Sequence, residues 1–163
     1  MGEDANMADE NKMRLSKQVY QTLCKALDNR GWNYKKEQER LVVYFGVNGD
    51  SMPIQFIIAV DASRQLIRLM SPLPFKMSES KRADGAIATC AVSYGMANGS
   101  FDYDLDDGTI SFRMTEYFEN CLIDEDLFNY MIDCSCAMVE RYADRFLALD
   151  KGTITVADFL EQD

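Results

Sequence analysis

Histidine is absent from all 163 residues. With it go the His-based nucleophile triad, the imidazole general base and the usual zinc hydrolase ligand sets. No run of about 18 apolar residues occurs, so no stretch is suited to cross a bilayer as a helix. Neither G-x-x-x-x-G-K nor G-x-G-x-x-G is present, which removes the common glycine-rich phosphate cradles. Basic charge is scarce. Lys and Arg number 17 against 27 Asp and Glu, leaving a net charge of −10. That balance repels a phosphate backbone and an anionic lipid surface, so neither nucleic acid nor membrane is an expected partner. It suits a solvated surface, or the capture of basic and apolar segments of another protein.

Cysteine is present but unpaired by count. The five residues Cys24, Cys90, Cys121, Cys134 and Cys136 fall mostly in helical patterns. They read as reduced, buried thiols rather than as a disulfide framework. Cys134 and Cys136 form the one close pair. Two positions apart on a helix point about 200° apart and cannot grip one ion. Asp102, Asp104 and Asp106 look like the start of a calcium loop, but the sixth position is Asp107 rather than Gly and the twelfth is Arg113 rather than Glu. No metal site and no cofactor is expected.

What is present is a globular chain of 47% hydrophobic residues. Residues 1–12 are polar and acidic and read as a disordered tail. They lack the apolar core of a secretory signal, so cytoplasmic residence is expected. Residues 13–152 read as a single α+β domain, and 153–163 as a short C-terminal helix. Leu15, Val19, Tyr20, Leu23, Cys24 and Leu27 recur at three and four, predicting a helix that Gly31 ends. Leu41–Val47, a return strand to Val60, and Gln65–Met70 form a three-strand meander. Asn48-Gly49 makes its first turn and Asp61–Arg64 its second. The first turn would pair Phe45 with Met52, Val43 with Ile54 and Leu41 with Phe56. Pro72-Leu73-Pro74 should end the sheet there. A helix follows with the stripe Ala83, Ala86, Ile87, Cys90, Ala91 and Tyr94.

A second hairpin centres on Asp107-Gly108, the dipeptide a two-residue type I′ turn prefers. Counting from it pairs Leu105 with Ile110, Tyr103 with Phe112 and Phe101 with Met114, with Asp102 opposite Arg113 on the other face. Leu127 to Leu149 reads as a long helix behind the acidic Asp124–Asp126. Thr155 to Asp158 reads as a capping box for a last short helix. The expected fold is therefore a five-stranded antiparallel sheet with helices packed on one face, in the order α-β-β-β-α-β-β-α.

One face of the meander breaks the usual pattern. It carries Val42, Tyr44, Gln55, Ile57, Ala59, Leu66, Arg68 and Met70, apolar in the middle where a solvated face should be polar. Val42, Tyr44, Ile57, Leu66, Arg68 and Met70 are the candidate partner-binding residues. Three occupants stay open: a protein partner, a second copy in a homodimer, or the C-terminal segment from Thr155 folding back.

The chain is similar to the YbjN-like family of bacterial sensory transduction regulators. The similarity spans roughly Trp32 to Phe146. It rests on Leu66–Met70 followed by Pro72-Leu73-Pro74, on Gly99 to Arg113, and on the long final helix. A departure falls at Ser93, where the family pattern would place an asparagine. The resemblance implies a type III secretion chaperone-like fold, in proteins that are small, acidic, commonly dimeric and bind protein segments. It offers no catalytic residue. The expected function is that of a non-enzymatic protein-binding module. The competing reading is a small-ligand protein or enzyme using an acidic sheet-face site near Asp102, Asp104 and Arg113.

Overall fold

Good helix formers run back from the first apolar stripe almost to the N-terminus, and helix α1 spans Gly2–Asn29. The computed structural model describes residues 2–161. Residues 2–12 are thus helical where their composition suggested a disordered tail; residue 1 lies outside the described range. A segment too polar to bury a face can still extend a helix nucleated by its neighbour. The helix closes at Gly31, with Trp32 N–H donating to Leu27 O.

Strands β1 (Lys35–Glu37), β2 (Val42–Asn48), β3 (Pro53–Asp61) and β4 (Leu66–Lys76) follow. Then come α2 (Arg82–Tyr94), β5 (Ser100–Tyr103), β6 (Thr109–Tyr117), α3 (Glu125–Asp150) and α4 (Val156–Leu160). The strands form one sheet in the order β1-β2-β3-β4-β6-β5. It has six strands, not five. The additional one is Lys35–Glu37, which reads as a charged break because three residues are too few to show alternation. It pairs antiparallel with β2, Lys35 facing Tyr44 and Glu37 facing Val42.

Three further expectations are corrected. β4 continues through Pro72 and Pro74 to Lys76. The two prolines are two positions apart, so both missing donors fall on the same edge and the other edge keeps its set. In the β5–β6 hairpin Phe101 faces Phe112 and Tyr103 faces Ile110, two residues away from the expected register. Asp104 Oδ1 accepts from Asp106 N–H, Asp107 Oδ1 accepts from Thr109 N–H, and Gly108 N–H reaches Asp104 O. These bonds widen the turn to Leu105–Gly108 and leave Leu105 69% exposed. In the β2–β3 hairpin Val60 N–H donates to Leu41 O, Phe45 stacks on Phe56 at 4.7 Å, and Gly49 N–H donates to Met52 O. The turn is therefore at Asp50–Ser51, and the pairing lies four residues from the one counted from Asn48-Gly49.

Contacts divide the chain into two compact units, each assembled from three segments. The first takes Met1–Phe45, Phe56–Leu69 and Thr115–Asp133. Its core joins Tyr20, Leu23 and Leu27 of α1 to Val43, Phe56, Ile58, Ile67, Leu69, Phe118 and Phe128. Arg30 clamps α1 onto α3 here, with Nη1 and Nη2 each 2.8 Å from an Asp133 carboxylate oxygen and Nε bonded to Asn129.

The second unit takes Gly46–Gln55, Met70–Met114 and Cys134–Asp163. Phe101, Phe112, Met114, Phe146 and Phe159 are buried in it, with Phe146 touching both Phe101 and Phe159. The capping box of α4 forms as the sequence suggests: Thr155 Oγ1 accepts from Asp158 N–H, and the Asp158 carboxylate accepts from Thr155 N–H. Helix α2 packs on β5 and α4. Its buried face is Gly85, Ala88, Thr89 and Val92, the reverse of the expected one. At Gly85 even a Cβ would lie 2.7 Å from Met77 and 3.0 Å from Tyr103, so only small side chains fit on that side. The thiols differ from expectation too. All five are free, Cys90 and Cys121 are exposed, and the other three are half-buried.

Candidate functional site

Within the first unit, strand alternation turns Val42, Tyr44, Ile57, Leu66 and Arg68 away from the core. A ladder that sets Leu41 against Val60 and Phe45 against Phe56 places Tyr44 directly beside Ile57. Tyr44, Ile57, Leu66 and Arg68 are half-buried, whereas Val42 is only 8% exposed. Of the six sequence candidates, Met70 alone falls in the second unit.

There Met70 lines an open groove of about 580 Å³ with Asp102, Asp104, Asp106, Thr109 and Ser111. Asp102 is held by Arg113, whose Nε and Nη2 donate to its two carboxylate oxygens at 2.5 and 3.1 Å. This ion pair is diagonal, since Arg113 faces Ser100 across the ladder. The Asp102 hydrogen bonds raise the Arg113 pKa above its ordinary value. Asp107, beside the groove, is paired with Lys76, which together with the Thr109 bonds holds its carboxyl well below the usual range. Tyr103 is pushed up, chiefly by burial. The carboxylates therefore have structural partners: an ion pair for Asp102 and turn amides for Asp104 and Asp107.

The C-terminal segment takes another position from the one left open by the sequence. Phe159 is fully buried against Phe146, and Phe146 packs on Phe101, a core residue of the sheet. Residues 162 and 163 lie outside the described range.

Several polar contacts carry no sequence signal. Ser93 Oγ donates to Phe101 O at 3.1 Å and accepts from Phe101 N–H at 2.9 Å, fixing the end of α2 to β5. So the position where the family pattern would place asparagine is occupied by a working hydroxyl. Gln65 is buried with a left-handed backbone, φ 55°. Its Nε2 donates to Ala62 O at 2.7 Å and Ser16 Oγ at 3.1 Å, while its Oε1 has no partner. Ser71 and Ser135 share a buried hydrogen bond of 2.7 Å. Among the described residues no group of three His, Cys, Asp or Glu could hold a metal ion, and no helix is long and apolar enough to cross a membrane. No protein-family model matches the chain, and no curated protein matches it.

Proposed function

We propose that this chain is a non-enzymatic protein-binding module, chaperone-like or regulatory in the manner of the YbjN-like proteins it resembles. In this reading it takes a segment of another protein onto the outward face of its sheet. The observation that carries this is the cross-strand pair Tyr44 and Ile57, half-exposed beside Leu66 and Arg68 on a face turned away from the core. Apolar side chains in that position gain by being covered. With a net charge of −10, the favoured segment is apolar with basic flanks.

The test is calorimetric titration with a synthetic peptide alternating Leu and Lys. Tyr44→Ser with Ile57→Ser should weaken its binding roughly tenfold or more, the equivalent of about 1.4 kcal/mol, and added salt should weaken it further. Equal binding by the double variant would overturn the assignment.

A second reading is kept for the groove at Met70, Asp102 and Asp106, which has room for a small cationic ligand. The ties of Asp102 to Arg113 and of Asp104 to its own turn weigh toward structural use of these carboxylates.

A further inference from the structure

Helix α2 is bare of charge over most of its length. Residues 85–101 form a 17-residue stretch with no Asp, Glu, Lys or Arg, in a chain where those types make up 27%. The side away from β5 carries Ala83, Ile87, Cys90 and Tyr94. At 100° per residue these four lie within about 60° of one another, opposite the buried Gly85, Ala88, Thr89 and Val92. Ala83 and Cys90 are exposed, Ile87 is 51% exposed and Tyr94 is 94% exposed.

We infer that this stripe is a self-association surface whose occupant is α2 of a second copy of the chain, packed antiparallel about a two-fold axis. Two observations select that occupant. The first is the spacing. A two-fold contact needs one patch that is complementary to itself. Positions 83, 87, 90 and 94 read the same in both directions about the midpoint between Ala88 and Thr89. Antiparallel pairing then sets Tyr94 over the partner's Ala83 and Ile87 over the partner's Cys90, large against small at every step. The second is charge. Two copies of net charge −10 repel, so a contact between them is favoured where neither presents a charge. A basic partner, by contrast, gains nothing from this stripe.

This inference is independent of the sheet-face reading, and salt separates the two. Like-charged copies joined by an uncharged stripe associate more strongly as salt screens their repulsion, whereas a basic peptide on an acidic protein is released. The experiment is sedimentation equilibrium of the full chain at micromolar to submillimolar concentration. Mass should rise from 18.6 kDa toward twice that value, more steeply at high salt. Tyr94→Glu should hold the protein at the monomer mass. Because Tyr94 is almost wholly exposed, this variant should keep its fold, as circular dichroism would verify. A short bismaleimide should link Cys90 to Cys90 in a Cys121→Ser background and fail in Tyr94→Glu. A monomer mass throughout would overturn the inference, and so would self-association or cross-linking unchanged by Tyr94→Glu.

Discussion

Replacing Gly108 by alanine tests the turn geometry that sets the β5–β6 register. Gly108 has φ 78°, and its carbonyl accepts from Met77 N–H at 2.9 Å. A left-handed alanine costs about 1–2 kcal/mol on backbone grounds alone. An added Cβ would also lie 2.4 Å from Met77 O and 3.2 Å from Met77 C and N. Those atoms are backbone and cannot rotate aside, so the loop must move and weaken a hydrogen bond worth about 1 kcal/mol. The expected total is about 2–4 kcal/mol, or a fall in melting temperature of roughly 4–16 °C at about 2–4 °C per kcal/mol for a domain this size. Gly152, in the same unit, supplies the control. It too is left-handed, φ 69°, but the nearest atom to its added Cβ is the flexible Lys81 Cε at 4.0 Å. Gly152→Ala should therefore cost only the backbone part, about 1–2 kcal/mol. Urea unfolding of both variants under one set of conditions measures the difference. Equal losses, within about 0.5 kcal/mol, would show that the close approach of Gly108 to Met77 contributes nothing.

Two other outcomes follow from packing and titration. Phe159→Ala should cost about 3–5 kcal/mol, because the ring is fully buried against Phe146; loss of α4 protection in hydrogen exchange would accompany it, and a loss below about 1 kcal/mol would mean α4 is not docked. On acidification the urea midpoint should fall below about pH 4. Asp61, Glu125 and Asp158 are held below their ordinary values by Ser63, by Lys25 and by Thr155 respectively, so their stabilisation is present above that range and is lost as protons bind. On the alkaline side burial pushes Tyr20 up to about 12, so its contribution is intact below about pH 10 and disappears as pH rises past 12. A midpoint that rose on acidification would contradict the carboxylate assignments.

The hairpins show how far an amino-acid pattern can be read. Both register corrections are even, two residues at Asp107-Gly108 and four at Asn48-Gly49. Alternation of side chains determines parity, so Phe101, Ile110, Phe112 and Met114 reached the core as expected. It says nothing about an even offset, which the turn decides. There Asp104 and Asp107 bond backbone amides and override the preferred dipeptide. Helix α2 was misread for a related reason. Periodicity locates the greasiest stripe, but close packing against Tyr103 and Met77 admits only the smallest side chains, so Ile87 and Tyr94 turn outward. The outward residues of the meander were legible because they depend on parity alone. Ser93, Gln65 and Ser135 were not, because a buried hydroxyl or amide is recognised by partners distant in sequence.

The two outermost strands carry a consequence for how any polypeptide can be held. β1 has three residues, two of them lysine, and β5 has four, with the free backbone groups of Phe101 already engaged by Ser93. Neither margin offers a long row of open amides and carbonyls on which a guest chain could zip itself as a seventh strand. Recognition by this molecule must therefore run through side chains on its broad surfaces, which makes it selective for what a visitor's residues are rather than for how extended its backbone lies.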